Sequence, residues 1–195
     1  MVPLGDVPGG PYDSTATAAS GDGSIIVGWG DTASGREGFR WTEETGIVGL
    51  EFLPGPTSSQ ANAVSTDGHV IVGGSGGQAF RWTADEGMVA LGDFNALDVS
   101  ADGSIIVGHE DGEVIVWDEA HGMRSLSSML GLDLSDWTWT DSTGLSADGT
   151  TIVGWGYHPD IDANEAWIAV LPEPSTLLLL ALGGIIATRR RRHEP

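Results

Sequence analysis

A nine-residue pattern occurs four times in the chain and constrains the fold more than any other feature. The pattern is Ser-x-Asp-Gly-x-x-Ile-Val-Gly, and its copies begin at Ser20, Ser65, Ser100 and Ser146, with spacings of 45, 35 and 46 residues. Self-similarity at such a period is typical of folds in which one supersecondary unit is repeated and stacked. We therefore interpret the chain as an array of repeats.

Each repeat is predicted to form four short strands. The Asp-Gly pair suits a tight hairpin turn, because glycine adopts positive φ without strain. The Ile-Val-Gly run, a segment of the type Phe-Arg-Trp-Thr and a Gly-Met-x-x-Leu segment supply the remaining strands. A tryptophan follows every copy of the pattern, at Trp41, Trp82, Trp117 and Trp167. Four strands in 35–46 residues match one β-propeller blade. We predict an all-β fold, a β-propeller of four four-stranded blades.

The two ends of the array fit together in the sequence. The fourth repeat has candidates for strands one to three (144–146, 151–153 and 166–170) and none for the fourth. The segment Leu4-Gly5-Asp6 resembles Leu91-Gly92-Asp93, which ends the second repeat. Pairing of this N-terminal strand with the last blade would close the ring and remove open edges. The alternatives are four blades of a larger, truncated propeller, or an open array.

The repeats resemble the bacterial extracellular HAF-repeat family. The resemblance is carried by the Ala-Phe-Arg-Trp-Thr stretch (Ala79–Thr83), the Ser-x-Asp-Gly units and segments such as Gly87–Leu91. It covers most of residues 1–171, which we expect to form one domain. It implies an extracellular propeller and no established activity.

The last residues, 172–195, form a separate segment with three parts in a fixed order. Pro172, Glu173 and Pro174 come first, an apolar run over 176–188 follows, and Arg189, Arg190, Arg191 and Arg192 close it. As a helix, the 14 residues 175–188 would be about 21 Å long, which is short against a hydrocarbon core of about 30 Å. The arginines would stay on the cytoplasmic side.

This order resembles the PEP-CTERM sorting signal of Gram-negative bacteria. The resemblance implies a short hydrophobic helix in the inner membrane, recognition by an exosortase, cleavage near Pro-Glu-Pro and delivery to the cell surface or extracellular matrix. The alternative is an uncleaved membrane anchor. The start of the chain, Met1–Asp6, has neither a positive nor an apolar region of an export signal. We expect a truncated start, or export by another route.

Charge and composition exclude several functions. The chain has 28 acidic and 8 basic residues, a net charge of −20, and four of the basic residues lie in the final arginine run. Such a surface repels phosphate backbones, so we expect no nucleic-acid partner. The absence of cysteine excludes disulfides and thiolate-bound zinc. The five histidines show no metal-ligand spacing, and we predict no cofactor.

The loops of the repeats divide into a constant and a variable set. The Asp-Gly turns keep their length, whereas the connections between strands two and three and between repeats vary, and a meander places all of the variable loops on one rim. Variable loops are the usual place for binding. Aromatic rings beside carboxylates suit carbohydrate, so we predict a polysaccharide-binding rim of Trp29, Asp31, Trp137, Trp139, Trp155, His158 and Asp160.

Two alternatives stay open for this rim. In the first alternative, the rings of Trp29 and Trp155 pack between blades and bind no ligand. Both tryptophans occur in the sequence Ile-Val-Gly-Trp-Gly. In the other, the rim carboxylates would belong to a carbohydrate-active enzyme. Our leading interpretation is a non-enzymatic structural or interaction module at the cell surface.

Overall fold

The computed structural model describes residues 1–132, 137 and 139–171, and within them the chain is almost entirely β-structure. Its only regular helix in this part of the chain is short. The elements are β1 (Ser14–Ala19), β2 (Ile26–Thr32), β3 (Gly35–Thr42), β4 (Gly46–Gly49), β5 (Ser59–Val64), β6 (Ile71–Ser75), β7 (Gln78–Thr83), β8 (Gly87–Gly92), β9 (Asn95–Val99), β10 (Ile105–Glu110), β11 (Glu113–Asp118), β12 (Gly122–Ser125), α1 (Leu126–Leu130), β13 (Trp139–Leu145), β14 (Thr151–His158) and β15 (Ala163–Val170).

The strands form four antiparallel sheets, one for each repeat. Sheets 1, 2 and 3 are four-stranded meanders of β1–β4, β5–β8 and β9–β12, and sheet 4 consists of β13, β14 and β15. Consecutive sheets pack on each other. The predicted division into four repeats, and the three strands of the fourth, are confirmed. The prediction of four strands in every blade is wrong for sheet 4 within the described residues.

The N-terminal segment lies along sheet 1 and does not pair with sheet 4. Residues 1–13 contain no strand. The Ser14 hydroxyl donates to the Gly5 carbonyl at 3.1 Å, and Val7 is buried beside Gly30 of β2. Prolines at positions 3, 8 and 11 also remove backbone donors that a ladder would need. The predicted closure of the ring by this segment is therefore wrong, and the predicted C-terminal helix lies outside the described residues.

Each Asp-Gly turn is held by the serine and aspartate of its own pattern. In sheet 2 the Ser65 hydroxyl donates to the Asp67 carboxylate at 2.6 Å and accepts from the Val70 N–H at 3.0 Å. The same carboxylate accepts from the His69 N–H at 3.0 Å, and Gly68 has φ +76°. Equivalent bonds recur in the other three turns. The pattern is thus a turn-forming unit, as predicted.

These hydrogen bonds lower the pKa of the turn aspartates. The Ser24 N–H, followed by the Ser20 and Ser24 hydroxyls, lowers the pKa of Asp22 to about 2. The serine hydroxyl of the pattern is the largest cause of the lowered pKa of Asp67, Asp102 and Asp148. A carboxyl whose folded pKa is depressed stabilises the fold above its unfolded pKa, about 3.9, and this contribution is lost as pH falls through the folded value.

We therefore expect Asp67→Asn to flatten the acid side of the stability profile. Thermal unfolding between about pH 5 and pH 2 should show a smaller loss of stability for the variant than for the wild type, because one native carboxylate no longer has to be protonated. Asp85→Asn, at an exposed acid in the β7–β8 turn, is the control and should keep the wild-type slope. Equal slopes for Asp67→Asn and the wild type would contradict the assignment.

A line of backbone hydrogen bonds joins the four turns. The residue between serine and aspartate donates its N–H to the carbonyl of the equivalent residue in the next repeat. Gly21 donates to Thr66 at 2.9 Å, Thr66 to Ala101 at 3.0 Å, and Ala101 to Ala147 at 2.8 Å. We call this line the turn ladder. It links all four sheets on the rim with constant turns.

The core consists of three similar interfaces between consecutive sheets. We define the front face of a sheet as the side of the residue paired with the pattern glycine, and the back face as the side of the pattern valine. The front faces of sheets 2, 3 and 4 each pack on the back face of the sheet before them. Residues paired with the glycine are Phe39, Phe80, Ile115 and Trp167, and the pattern valines are Val27, Val72, Val107 and Val153.

The fourth tryptophan of the series occupies a different position from the first three. Trp41, Trp82 and Trp117 pair with the isoleucine of their pattern, whereas Trp167 pairs with Gly154. A Cβ on Gly154 would overlap the ring of Trp167, so the glycine makes room for it. The prediction that Trp167 continues the tryptophan series is therefore wrong by two residues.

Candidate ligand cleft

A polar cleft opens on the rim with variable loops, where sheets 1, 2 and 3 meet. The β2–β3 and β6–β7 turns and the starts of β5 and β9 surround it, and its volume is about 460 Å³. Its lining consists of Asp31, Arg36, Ser58, Ser59, Gln60, Asn62, Gly74, Gly76, Gly77 and Asn95. Most of these side chains are polar and uncharged, in contrast to the acidic composition of the chain.

The floor of the cleft is a line of three side-chain amides. Gln60 and Asn62 alternate with buried alanines along β5, so that both lie on the same face of the strand. Gln60 Nε2 donates to Asn62 Oδ1 at 2.9 Å, and Asn62 Nδ2 donates to the Ala96 carbonyl at 2.6 Å. Asn62 Nδ2 also lies 3.5 Å from Asn95 Oδ1. These bonds fix the amides across two sheets and leave further donors and acceptors for a ligand.

Arg36 forms one wall of the cleft. Its guanidinium carbon lies 3.7 Å from the centroid of the Trp29 ring, and its Nε is 3.9 Å from Asp31 Oδ1. Stacking on an aromatic face and the nearby carboxylate both favour the charged guanidinium in this position. The predicted rim residues Trp29 and Asp31 are thus brought together, but the arginine occupies one face of the Trp29 ring.

The other predicted rim residues lie on or beside sheet 4. The rings of Trp137 and His158 meet edge to face, with centroids 5.5 Å apart. Trp155 is half-buried in β14, and Asp160 is exposed in the β14–β15 turn. Trp139 begins β13, and its side chain is outside the described part of the structure. Among the described elements, sheets 1 and 4 do not pack against each other, so the predicted rim divides into two groups.

Two carboxylates are engaged by neighbours in the group at sheet 4. His109 Nδ1 lies 2.7 Å from Asp141 Oδ1. The Tyr157 hydroxyl donates to the Asp162 carboxylate at 2.5 Å, and this bond raises the pKa of Tyr157. Among the described residues, no three His, Asp or Glu side chains are grouped so that they could hold a metal ion.

Sequence reasoning missed Arg36, Gln60, Asn62 and Asn95. A signal for two of them was present, because the stretch Ser-Gln-Ala-Asn-Ala at the start of β5 alternates polar and small apolar residues. Such alternation marks a strand with one polar face. Nothing in the sequence indicates that Asn95, in the next repeat, meets this face.

The predicted sorting residues Pro172, Glu173, Pro174 and Arg189–Arg192 lie outside the described residues. In the part of the chain that is described, no helix has the length and apolar character needed to cross a membrane. Residues 170–192 match the PEP-CTERM protein-sorting motif. This motif indicates export and sorting at the cell envelope, and it implies processing by exosortase, a membrane enzyme.

Two solved structures match this chain over most of its length. A structure assigned to TolB from Agrobacterium tumefaciens has a TM-score of 0.47 and 18% identity, with 83% of this chain and 60% of that chain covered. The Dos1 propeller has a TM-score of 0.47 and 18% identity, with 75% of this chain and 40% of that chain covered. This chain therefore spans 60% or less of either structure. No curated protein matches the sequence. The resemblance to the HAF-repeat family finds no support in these comparisons.

Proposed function

We propose that this chain is an exported β-propeller-type interaction module that binds a neutral glycan in the cleft at sheets 1, 2 and 3. The observation that carries this proposal is the line of hydrogen-bonded amides formed by Gln60, Asn62 and Asn95. The match of residues 170–192 to a sorting motif supports a place at the cell surface or in the extracellular matrix of a Gram-negative bacterium.

The chemistry of the cleft suits sugar hydroxyls. Each hydroxyl both donates and accepts, and an amide side chain offers both kinds of group in one plane. Arg36 adds donors at the wall, and Asp31 adds acceptors. A volume of about 460 Å³ falls within the usual range for small-ligand pockets. The net charge of −20 disfavours acidic polysaccharides, so a neutral glycan is the better ligand.

Binding fits this cleft better than hydrolysis. A retaining glycosidase needs two carboxyl groups about 5 Å apart. Among the described residues that line the cleft, Asp31 is the one carboxylate. We therefore prefer a glycan-binding module as the proposed function and regard a carbohydrate-active enzyme as the weaker alternative.

The expected result of Asn62→Ala is weaker glycan binding by roughly five- to 150-fold. The substitution removes the central amide and leaves its neighbours without a partner, a loss of about 1–3 kcal/mol. Binding would be found on an array of neutral and acidic oligosaccharides and then measured by calorimetry with the best neutral ligand.

Gln78→Ala is the matched control for this experiment. The Gln78 amide also lies on this rim, but it bonds to Asp93 at 2.9 Å and does not line the cleft. The Gln78→Ala variant should bind the neutral glycan as tightly as the wild type. Equal losses in both variants, or no neutral ligand on the array, would contradict the proposed site.

We also propose that exosortase cleaves the chain near Pro172–Pro174 and that the tail lies in the inner membrane only until then. In a host that contains the enzyme, mass spectrometry of the cell-associated protein should find a chain shortened near these residues. Glu173→Ala should accumulate uncleaved, whereas Glu165→Ala, on β15, should be processed normally. A wild-type chain that still ends at Pro195 would rule out processing.

A further inference from the structure

We propose that the back face of sheet 4 docks on the front face of sheet 1 in a second copy of this chain. The motivating feature is a surface that the other three repeats bury. The pattern valines Val27, Val72 and Val107 are each 0% exposed, whereas Val153 of the fourth repeat is 42% exposed.

The exposed surface around Val153 is apolar and continuous. Val153 pairs with Ile168 on β15, and Val170 lies two residues further along that strand on the same face. Ile168 is 68% exposed and Val170 is 62% exposed. In sheets 1 to 3 the back face is covered by the front face of the next sheet, and no described element covers it in sheet 4.

The complementary surface is the front face of sheet 1. Phe39 and Ala16 lie on this face, on either side of Gly28 in the ladder. The front faces of sheets 2 to 4 each pack on a preceding sheet. The front face of sheet 1 is instead covered by the N-terminal residues 1–5. They leave an open cleft of about 550 Å³ that reaches Phe39. The front face of sheet 1 is thus covered by an irregular segment rather than by a sheet, and a docked sheet would displace that segment.

The turn ladder gives an independent sign of the same incompleteness. Among the described residues, the Gly21 carbonyl at one end and the Ala147 N–H at the other take no part in it. One is an acceptor and the other a donor, so the two ends are complementary. A docked second copy would add the bond from Ala147 to Gly21 and continue the ladder from chain to chain.

The repeat geometry identifies the occupant. A back face of this type is covered three times within the chain, each time by a front face of the same type. The described chain has one front face that no sheet covers, on sheet 1, and that sheet does not pack on sheet 4. A second copy supplies it. Because the contact joins two different surfaces, two copies that close on each other would make it twice and form a ring.

The test measures the mass of the full chain in solution by light scattering after size exclusion. A non-ionic detergent would shield the apolar tail, and salt would screen the acidic surface. The wild type should have twice the mass of one chain, or a larger multiple. Val153→Asp should have the mass of one chain, and Ile168→Asp provides a second variant on the same face in case the first does not fold.

The matched control is Val89→Asp. Val89 is 44% exposed, about as much as Val153, but it lies on β8 away from the proposed contact. The Val89→Asp variant should have the same mass in solution as the wild type. A wild type with the mass of one chain would overturn the proposal. Assembly that survives Val153→Asp would also overturn it, because the tail or another surface would then be responsible.

A mixing experiment tests that the two faces bind each other. Ala16→Glu should block the front face of sheet 1 in the same way as Val153→Asp blocks the back face of sheet 4. Each variant alone should have the mass of one chain. Their mixture should contain a species of twice that mass, because each variant keeps the face that the other has lost. A mixture without this species would refute the head-to-tail contact.

Discussion

Replacement of Phe80 by alanine is expected to lower the free energy of unfolding by about 3–5 kcal/mol. Phe80 is 0% exposed and lies between sheets 1 and 2, where it packs with Val27 and Leu50. Removal of the ring would leave a cavity between two sheets. Rigid sheets cannot fully collapse into it, so the cost combines lost apolar burial with the cavity itself.

Urea unfolding followed by tryptophan fluorescence would measure this loss. The midpoint should fall, and the melting temperature should fall by roughly 2–4 °C for each kcal/mol. Val89→Ala is the control, since Val89 is an exposed residue in the same sheet and should change stability by less than about 0.5 kcal/mol. A Phe80→Ala variant as stable as this control would show that the interface between sheets 1 and 2 is not formed.

Gly73→Ala is expected to lower the free energy of unfolding about as much as Phe80→Ala, because it adds an atom where there is no space instead of leaving a cavity. A Cβ on Gly73 would overlap the carbonyl oxygen of Gln60 on the neighbouring strand, at the point where β5 has a bulge. Backbone cannot move aside as a side chain can, so we expect a loss of about 3 kcal/mol, at the upper end of the range for overpacking. Equivalent overlaps occur at Gly28, Gly108 and Gly154, which explains the glycine in every copy of the pattern.

The adjacent residue provides the control for this substitution. A Cβ on Gly74 would lie 3.3 Å from Asn95 Oδ1, the end of a side chain that can shift. Gly74→Ala should therefore cost far less than Gly73→Ala in the same unfolding experiment. Similar losses for the two variants would mean that glycine is needed here for backbone freedom rather than for close approach.

The repeats were predictable because their turns are local. A serine, an aspartate and a glycine within four residues determine the turn geometry wherever it occurs, and the Ile-Val-Gly run follows at a fixed distance. The shift of Trp167 was not predictable in this way. Positions two residues apart on a strand have the same orientation, so a tryptophan fits the front face at either place.

The candidate cleft and the ends of the array depend on contacts between repeats. Asn62 and Asn95 are 33 residues apart and are brought together only by the stacking of sheets 2 and 3. The closure of the ring rested on a likeness of three residues around Leu4. Such a short likeness carries little information, and the prolines around it disfavour a strand.

The turn ladder joins the repeats on one rim, whereas the variable loops that would bind a ligand lie on the opposite rim. It uses only main-chain atoms of a residue that is glycine, threonine or alanine in different copies, on the rim where turn length is constant. Glycine, threonine and alanine all serve at that position, and the loops on the opposite rim take no part in these bonds. The loops of each repeat can therefore diverge in length and sequence without loss of the main-chain bonds that join the repeats.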